Sequence, residues 1–210
     1  MGFTIGFLHT AQVHVGTFTE LVGSQAHTRH VVDESLLNDT RAHGVDDALR
    51  DRLVNRLRAA ADGSGVVVCT CSTISGEAER LASHVAVPII RIDRPLAEAA
   101  VSIGRRVAVV AAVESTVAPT SSLLHEVAAD ESVELELSVV RCFDAWSNFE
   151  RGDTHAYLQS IALQVTNFPD PVDVFVLAQA SMAGATKYCN VRVPVLSSPS
   201  LAVEAALAHR

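Results

Sequence analysis

The stretch VVVCTCSTISG, residues 66–76, begins as a buried strand and ends in thiols and hydroxyl groups. Its three consecutive valines are typical of a strand that is covered on both faces. Cysteine, serine and threonine follow them, and the first charged side chain is that of Glu77. We therefore predict a core strand over 66–70 with polar side chains at its end and a helix that begins near Ser75.

Similar apolar runs recur along the chain and alternate with helical patterns. In the segment VDDALRDRLVNRLRAAADG (45–63), leucines and valines recur at helical spacing and Gly63 provides the stop. Strands that alternate with helices predict an α/β fold with a doubly wound parallel sheet flanked by helices. The further strands are predicted over 3–9, 87–92, 106–112, 133–140, 172–178 and 193–196.

A weak internal similarity predicts two related halves. The segments GVVVCTCST (65–73) and DVFVLAQASM (173–182) both read as a buried strand that ends in small and hydroxyl residues. We predict two pseudo-symmetric flavodoxin-like lobes with the active site in the cleft between them. The first lobe is expected to comprise 1–93 and 194–210, and the second lobe 94–193.

The composition argues against several classes of partner. The formal net charge is −8, and no basic stripe or aromatic-rich cluster is present, so neither nucleic acid nor an anionic membrane surface is an expected partner. The apolar runs are too short to span a bilayer, and the start MGFTIGFLHT lacks the basic region of a signal peptide. We therefore expect a cytoplasmic protein, for which a homo-oligomer is also compatible with the sequence.

No cofactor or metal site is predicted. Neither GxGxxG nor GxxxxGK[ST] follows a strand, so nucleotide binding has no support. The nine histidines lack HxH and HExxH spacing, and the four cysteines lack zinc-site spacing, so no metal is expected. The cysteines at 69, 71, 142 and 189 are expected to be free thiols.

Cys71, Ser72 and Thr73 are the first candidate site residues. In an open parallel sheet, ligands lie beyond the carboxyl ends of the strands, which is where these residues are predicted. Hydroxyl groups and the N–H groups of a helix N-terminus favour an anion such as a carboxylate. The same end of the helix stabilises a thiolate, so Cys71 is a candidate base or nucleophile, whereas Cys69 is expected to pack in the core.

Other polar residues fall at predicted strand ends. His9 and Thr10 follow the first strand; the pair could orient a ligand carboxylate, His9 could carry a proton, or His9 could cap the loop by hydrogen bonds. Ser181 lies in the corresponding region of the second half and is a further candidate ligand contact.

The order of these segments resembles the aspartate/glutamate/hydantoin racemase superfamily. Cys71-Ser72-Thr73 looks like its C-N-T motif, with Ser72 in place of the usual Asn. The likeness extends over IGFLHT, VPIIRIDRPLAEAA, RRVAVVAAVESTVAPT, VLAQASM and VPVLSSPSLAVEAA, which cover most of the chain.

This resemblance implies cofactor-independent chemistry at the carbon next to a carboxylate or carbonyl of a small acid. Family racemases use two cysteines, one from each lobe, and Cys71 matches the first of them. It also implies that Ser72 and Thr73, with Ser115 and Thr116 of the second lobe, hold the substrate.

The chain departs from the pattern at the second cysteine. Alignment of VLAQASM with the family's V-L-G-C-A-G-M places Gln179 there, and an amide neither delivers nor accepts a proton at accessible pH. A one-cysteine decarboxylase or cis–trans isomerase of the same superfamily, or a carboxylate-binding relative without activity, therefore remains an alternative to a racemase. The sequence does not choose among amino acids, hydantoins and substituted malonates as substrate.

Overall fold

The computed structural model describes residues 2–210, and the chain divides into two compact units. The first unit comprises residues 2–94 and Pro199–Arg210, and the second comprises Pro95–Ser198. Each unit contains one four-stranded sheet in which all the paired strands are parallel. The predicted α/β class with two flavodoxin-like lobes is confirmed, because both sheets place the first strand between the second and the third.

The first unit alternates strands and helices. Its sheet has the order β2-β1-β3-β4. The elements are β1 (Thr4–His9), α1 (Val13–Val22), β2 (His27–Val32), α2 (Ser35–His43), α3 (Asp47–Ala61), β3 (Val66–Cys69), α4 (Ser72–Arg80), a 3₁₀ helix Ala82–His84 and β4 (Ile89–Arg91).

The second unit repeats this topology. Its sheet has the order β6-β5-β7-β8. The elements are α5 (Arg94–Ile103), β5 (Arg106–Ala111), a 3₁₀ helix Glu114–Thr116, α6 (Val117–Asp130), β6 (Glu136–Arg141), a 3₁₀ helix Phe143–Ala145, α7 (Trp146–Glu150), α8 (Thr154–Thr166), β7 (Val174–Leu177), a 3₁₀ helix Ala180–Lys187 and β8 (Val195–Ser197). The last helix, α9 (Ser198–Leu207), belongs to the first unit from Pro199 onward.

Two features of the strands differ from the sequence analysis. Residues 194–198, which were grouped with the first lobe, lie in the second unit, because β8 pairs with β7. Strand β2 was not predicted, because its sequence HTRHVV is polar and half-exposed, as is usual for a strand at the edge of a sheet.

The cores form where the sequence is continuously apolar. All four residues of β3 and all four of β7 are buried. Leu49, Leu53 and Leu57 recur every four residues on α3 and are buried with β3. Gly6 of β1 lies so close to the carbonyl of Ala60 that a Cβ atom would clash with it.

None of the helices within residues 2–210 is long and apolar enough to cross a membrane.

Candidate active site

The candidate site residues collect at the switch point of each sheet. In a doubly wound sheet, the first and third strands are neighbours from which the chain departs in opposite directions, and ligands bind beyond their carboxyl ends. In the first unit these ends carry His9, the last residue of β1, with Thr10 after it, and Thr70 and Cys71 after β3. In the second unit they carry Ala112 after β5 and Gln179 after β7.

Cys71 lies at the start of α4. Its backbone is extended (φ −108°, ψ 108°), and its carbonyl accepts hydrogen bonds from the N–H groups of Ile74 and Ser75 at 3.1 and 2.9 Å. The helix therefore begins at Ser72, three residues earlier than the sequence indicated, and Ser72 and Thr73 form its first turn. The side chain of Cys71 is 8% exposed and packs with the core cluster of the unit.

Cys69 is a core thiol, as the sequence analysis expected. It is fully buried as the last residue of β3. Burial and the nearby Cys71 raise the pKa of its thiol well above the ordinary value, so Cys69 stays protonated at neutral pH. Of the two neighbouring cysteines, only Cys71 therefore has a position suited to acid/base chemistry.

His9 uses both ring nitrogens inside the first unit. Its Nδ1 lies 2.8 Å from Oγ1 of Thr70, and its Nε2 lies 2.8 Å from Nδ1 of His30. Burial, with smaller contributions from His30 and His14, lowers the pKa of His9 to about 3, so the ring is neutral at pH 7. These hydrogen bonds are those of a histidine that caps the loop, and a role of His9 toward a ligand stays a prediction. Thr10 beside it is buried.

A buried ion pair fixes α4 against the end of β4. Arg91 donates to both carboxylate oxygens of Asp93 at 2.8 and 3.1 Å, and the two side chains are 7% and 2% exposed. The Ser75 hydroxyl, on the second turn of α4, donates to the same carboxylate at 3.1 Å. Glu79, one turn later, accepts from Arg91 and Arg94. These contacts hold the helix that carries Cys71.

Gln179 takes the position in the second unit that Cys71 takes in the first. It lies two residues after β7, has an extended backbone (φ −132°, ψ 139°) and precedes a helix. Its side-chain oxygen accepts a hydrogen bond of 2.8 Å from the N–H of Ala112. Because that N–H group only donates, the amide oxygen must face it, and the amide NH₂ points the other way with both of its hydrogens.

Ser115 and Thr116 form part of the 3₁₀ helix that leads into α6. The hydroxyl of Thr116 donates to the carbonyl of Val113 at 2.8 Å. The Oγ atom of Ser115 is buried and has no hydrogen-bond partner among residues 2–210. A buried hydroxyl without a partner is uncommon, so Ser115 has capacity for a ligand that Thr116 partly lacks.

Ser181 contacts an aromatic cluster. Its hydroxyl lies 2.9 Å from the hydroxyl of Tyr157, which is fully buried. Tyr157 packs against Trp146 and Phe149. Ser181, which was predicted as a ligand contact, thus serves as the hydrogen-bond partner of the buried Tyr157 hydroxyl.

Cys142 and Cys189 are away from the switch point. Cys142 follows β6 in the core of the second unit, where burial and Cys189 raise the pKa of its thiol to about 12. Cys189 lies behind the 3₁₀ helix Ala180–Lys187, and its thiol donates to the carbonyl of Ala185 at 3.2 Å. Neither residue takes the place of the second family cysteine. Within residues 2–210, no group of three or more His, Cys, Asp or Glu is arranged to hold a metal ion.

The sequence analysis missed the residues that support the site. Thr70, His30 and the Arg91–Asp93 pair were not singled out. Charged residues inside the apolar run VPIIRID (87–93) were a signal for a buried ion pair, since buried arginine and aspartate are almost always paired. The contact of His9 with His30 had no such signal, because it depends on a strand that was not predicted.

Solved structures share this architecture over nearly the whole chain. An aspartate racemase from Picrophilus torridus superposes with a TM-score of 0.73 at 14% identity, covering 99% of this chain and 94% of the other. The chain has the racemase fold. A glutamate racemase from Francisella tularensis in complex with D-glutamate gives 0.68 at 14% identity, covering 98% of this chain and 80% of the other. An allantoin racemase from Pseudomonas fluorescens gives 0.58 at 18% identity, covering 98% and 90%.

Comparisons of the sequence alone find no similar protein or family. No protein-family model matches the chain, and the comparison with curated proteins finds no relative. The similarity to these racemases is therefore one of architecture. Position 71 of this chain holds a thiol, and position 179 holds an amide.

Proposed function

We propose that the chain is a cofactor-independent, racemase-like enzyme of the isomerase class. It acts at the carbon next to a carboxylate or carbonyl of a small acid. The observation that carries the proposal is the position of Cys71, which lies at the switch point of its sheet and immediately precedes α4. Ligands bind beyond the strand ends at a switch point, and a helix N-terminus favours a bound anion such as a carboxylate.

In this proposal Cys71 is the acid/base. Its thiolate accepts the α-proton, and the electron pair of the C–H bond is delocalised onto the carbonyl or carboxylate oxygen. Hydrogen-bond donors that are already in place stabilise the resulting oxyanion. We assign the carboxylate-holding role to Thr10, Ser72 and Thr73, and to the hydroxyls of Ser115 and Thr116. His9 and Ser181 stay predictions as ligand contacts; the side chains of both are hydrogen-bonded within their own units.

A second candidate is supported by Gln179. A proton that returns from Cys71 to the face from which it came gives exchange with retention, whereas inversion needs a proton donor on the other face. The amide of Gln179 stabilises an oxyanion but supplies no proton. One-thiol chemistry, either protonation after loss of carbon dioxide or addition of the thiol to a double bond, fits this residue better than two-base racemisation. A relative that only binds a carboxylate is the alternative without turnover.

The experiment is exchange of the α-hydrogen in heavy water, followed by NMR. The panel consists of single enantiomers of aspartate, glutamate, allantoin and substituted hydantoins, together with substituted malonates. Wild-type protein is compared with Cys71→Ser and with Cys189→Ser, which changes a thiol outside the proposed machinery. We expect exchange or product formation that Cys71→Ser abolishes and Cys189→Ser retains.

The stereochemistry then separates the candidates. Exchange with inversion supports a racemase and requires a second proton donor. Exchange with retention, release of carbon dioxide, or isomerisation of a double bond supports one-thiol chemistry. Tight binding of a panel member without exchange or product would overturn the enzymatic proposal in favour of a carboxylate-binding protein.

A further inference from the structure

A chain of hydrogen bonds runs from the surface of the first unit to the residue before Cys71. Oγ1 of the exposed Thr19 lies 3.0 Å from Nε2 of His30, and Nδ1 of His30 lies 2.8 Å from Nε2 of His9. Nδ1 of His9 lies 2.8 Å from Oγ1 of Thr70, whose hydroxyl donates to the carbonyl of Leu8 at 3.0 Å. The four side chains are contiguous: Thr19 is exposed, His30 is partly buried, and His9 and Thr70 are buried.

The chain of hydrogen bonds fixes the protonation of the two rings relative to each other. Both rings are neutral at pH 7 and carry one proton each, so Nε2 of His9 and Nδ1 of His30 bond only if one donates and the other accepts. His9 and His30 are therefore the same tautomer, both with Nδ1–H or both with Nε2–H. In the first case the hydroxyl of Thr70 accepts from His9, and in the second it donates to Nδ1 of His9, while the carbonyl of Leu8 keeps the N–H of Thr70 as a donor.

Both directions of the hydrogen-bond chain can be completed at its exposed end. The hydroxyl of Thr19 lies 2.8 Å from the carbonyl of Val15 and 3.0 Å from Nε2 of His30. It can donate to Val15 while it accepts from His30, or it can donate to His30 while water satisfies the carbonyl, because Thr19 is exposed. At the Thr70 end the atoms are buried, so loss of the bond to His9 would cost more there.

We infer that His9 is a positioning residue for the turn that carries Cys71, and that the hydrogen bond to His30 holds the ring of His9 in place. Thr70 is covalently joined to Cys71, and its N–H donates to the carbonyl of Leu8 at 3.0 Å. His9 thus fixes the side chain of the residue before the thiol, whose backbone is already fixed by Leu8. The catalytic part of this inference rests on the proposed function of Cys71; the structural part does not.

His14 is the neighbour that gives a matched control. Its ring centroid lies 6.3 Å from that of His9, and its ring packs edge-on against Phe18. It is not one of the four residues of the hydrogen-bond chain. Substitution of His14 changes a histidine of the same cluster and leaves every hydrogen bond between Thr19 and Thr70 in place. A purely structural role of the cluster would make substitutions of His14 and His9 equivalent.

The first test reads the tautomer directly in wild-type protein. In ¹⁵N NMR of the histidine rings at pH 7, we expect His9 and His30 to be the same tautomer, either both protonated on Nδ1 or both on Nε2. Different tautomers would overturn the inference, because Nε2 of His9 and Nδ1 of His30 would then both be donors or both be acceptors. This test needs neither a substrate nor a variant.

The second test uses two substitutions of His9 whose amide groups replace different ring nitrogens, Nδ1 in His9→Asn and Nε2 in His9→Gln. The side-chain amide of His9→Asn can reach the site of Nδ1 and bond to Thr70 as donor or acceptor, whereas His9→Gln reaches toward His30 and leaves Thr70 without its partner. We expect His9→Gln and Thr70→Val to increase hydrogen exchange at the Thr70 and Cys71 amides about tenfold or more, and His9→Asn and His14→Asn to stay near wild type. Equal behaviour of His9→Gln and His9→Asn would overturn the inference.

Turnover provides the third readout. For any substrate found in the panel above, His9→Gln is expected to lower kcat about tenfold or more with little change in KM, because it misplaces the reacting thiol. His9→Asn is expected to restore most of kcat. Lack of activity in wild-type protein would count against the proposed function alone, whereas normal kcat in His9→Gln would count against the positioning role alone.

Discussion

Cys71 and Gln179 occupy equivalent positions in two sheets of the same strand order. Each lies two residues after the third strand of its unit, has an extended backbone and precedes a helix, and the two are 8% and 9% exposed. One of these positions holds a thiol and the other an amide. The asymmetry in chemistry is therefore superimposed on a symmetric backbone.

Gln179→Cys should add inversion to the chemistry of the chain. A thiol at this position can supply a proton, which the amide does not, and a positioned general acid contributes about a hundredfold or more in rate. We expect the rate of inversion of an exchanging substrate, followed by chiral chromatography, to rise by about that factor. Gln179→Ser, of similar size to cysteine but without an acidic proton, is the control. An unchanged rate of inversion in Gln179→Cys would contradict the proposed equivalence.

The histidine cluster should make the fold less stable as the pH falls below about 6.5. The pKa of His9 is lowered from 6.5 to about 3, so the unfolded chain binds a proton in this window that the folded chain does not. Stability is complete above pH 6.5 and declines toward pH 3, by up to about 1.4 kcal/mol per pH unit for one group. Burial lowers the pKa of His14 and His30 in the same direction.

Carboxylates act at lower pH and can be separated from this effect. Although burial opposes it, arginine partners lower the pKa of Glu77 and Glu79 below 4.5, so their contribution is lost only below that value. Urea unfolding between pH 7 and 5 therefore reports mainly on histidines. His9→Asn should flatten the slope, and His43→Asn, which changes an exposed histidine, should not. Parallel slopes for wild type and His9→Asn would refute the assignment.

Asp93→Ala should destabilise the first unit strongly. Removal of this carboxylate leaves the buried Arg91 with only the longer contact to Glu79 at 3.4 Å. Breaking a buried ion pair in this way costs on the order of 3–5 kcal/mol, measured as the free energy of unfolding in urea. Asp39→Ala breaks the half-exposed pair with Arg52 and should cost about 1 kcal/mol or less. Similar losses of unfolding free energy in the two variants would show that the buried pair does not hold α4 against β4.

Ser181→Ala should affect stability more than Tyr157→Phe does. The serine variant leaves the buried phenol of Tyr157 without its partner, which costs about 1–3 kcal/mol, whereas the phenylalanine variant removes the buried polar group itself. Thermal or urea unfolding of both single variants and of the double variant measures this difference. A Ser181→Ala variant with normal stability and lost ligand binding would instead assign Ser181 to the site.

The sequence predicts this fold where one physical effect dominates. Continuous apolar runs identify β3 and β7, and the fourfold spacing of leucines identifies α3, because burial alone determines them. The place of Cys71 at a strand end follows from the same runs. Strand β2 escapes prediction, because an edge strand buries little and HTRHVV has no apolar alternation.

The supporting contacts of the site depend on register, which the sequence does not contain. His9 and His30 meet because β1 pairs in parallel with β2, Phe7 opposite His30, so that the two rings share a face. The start of α4 at Ser72 depends on the extended backbone of Cys71, and the grouping of β8 depends on its pairing with β7. Each of these requires knowledge of a partner that is distant along the chain.

The hydrogen bond between Gln179 and Ala112 gives the amide a value for folding that is separate from chemistry. A thiol is a weak acceptor, so a cysteine at 179 would leave the Ala112 N–H poorly satisfied at a cost of about 1–3 kcal/mol. Selection for folding alone would therefore favour the amide over a thiol at this position, independently of what either group does to a substrate.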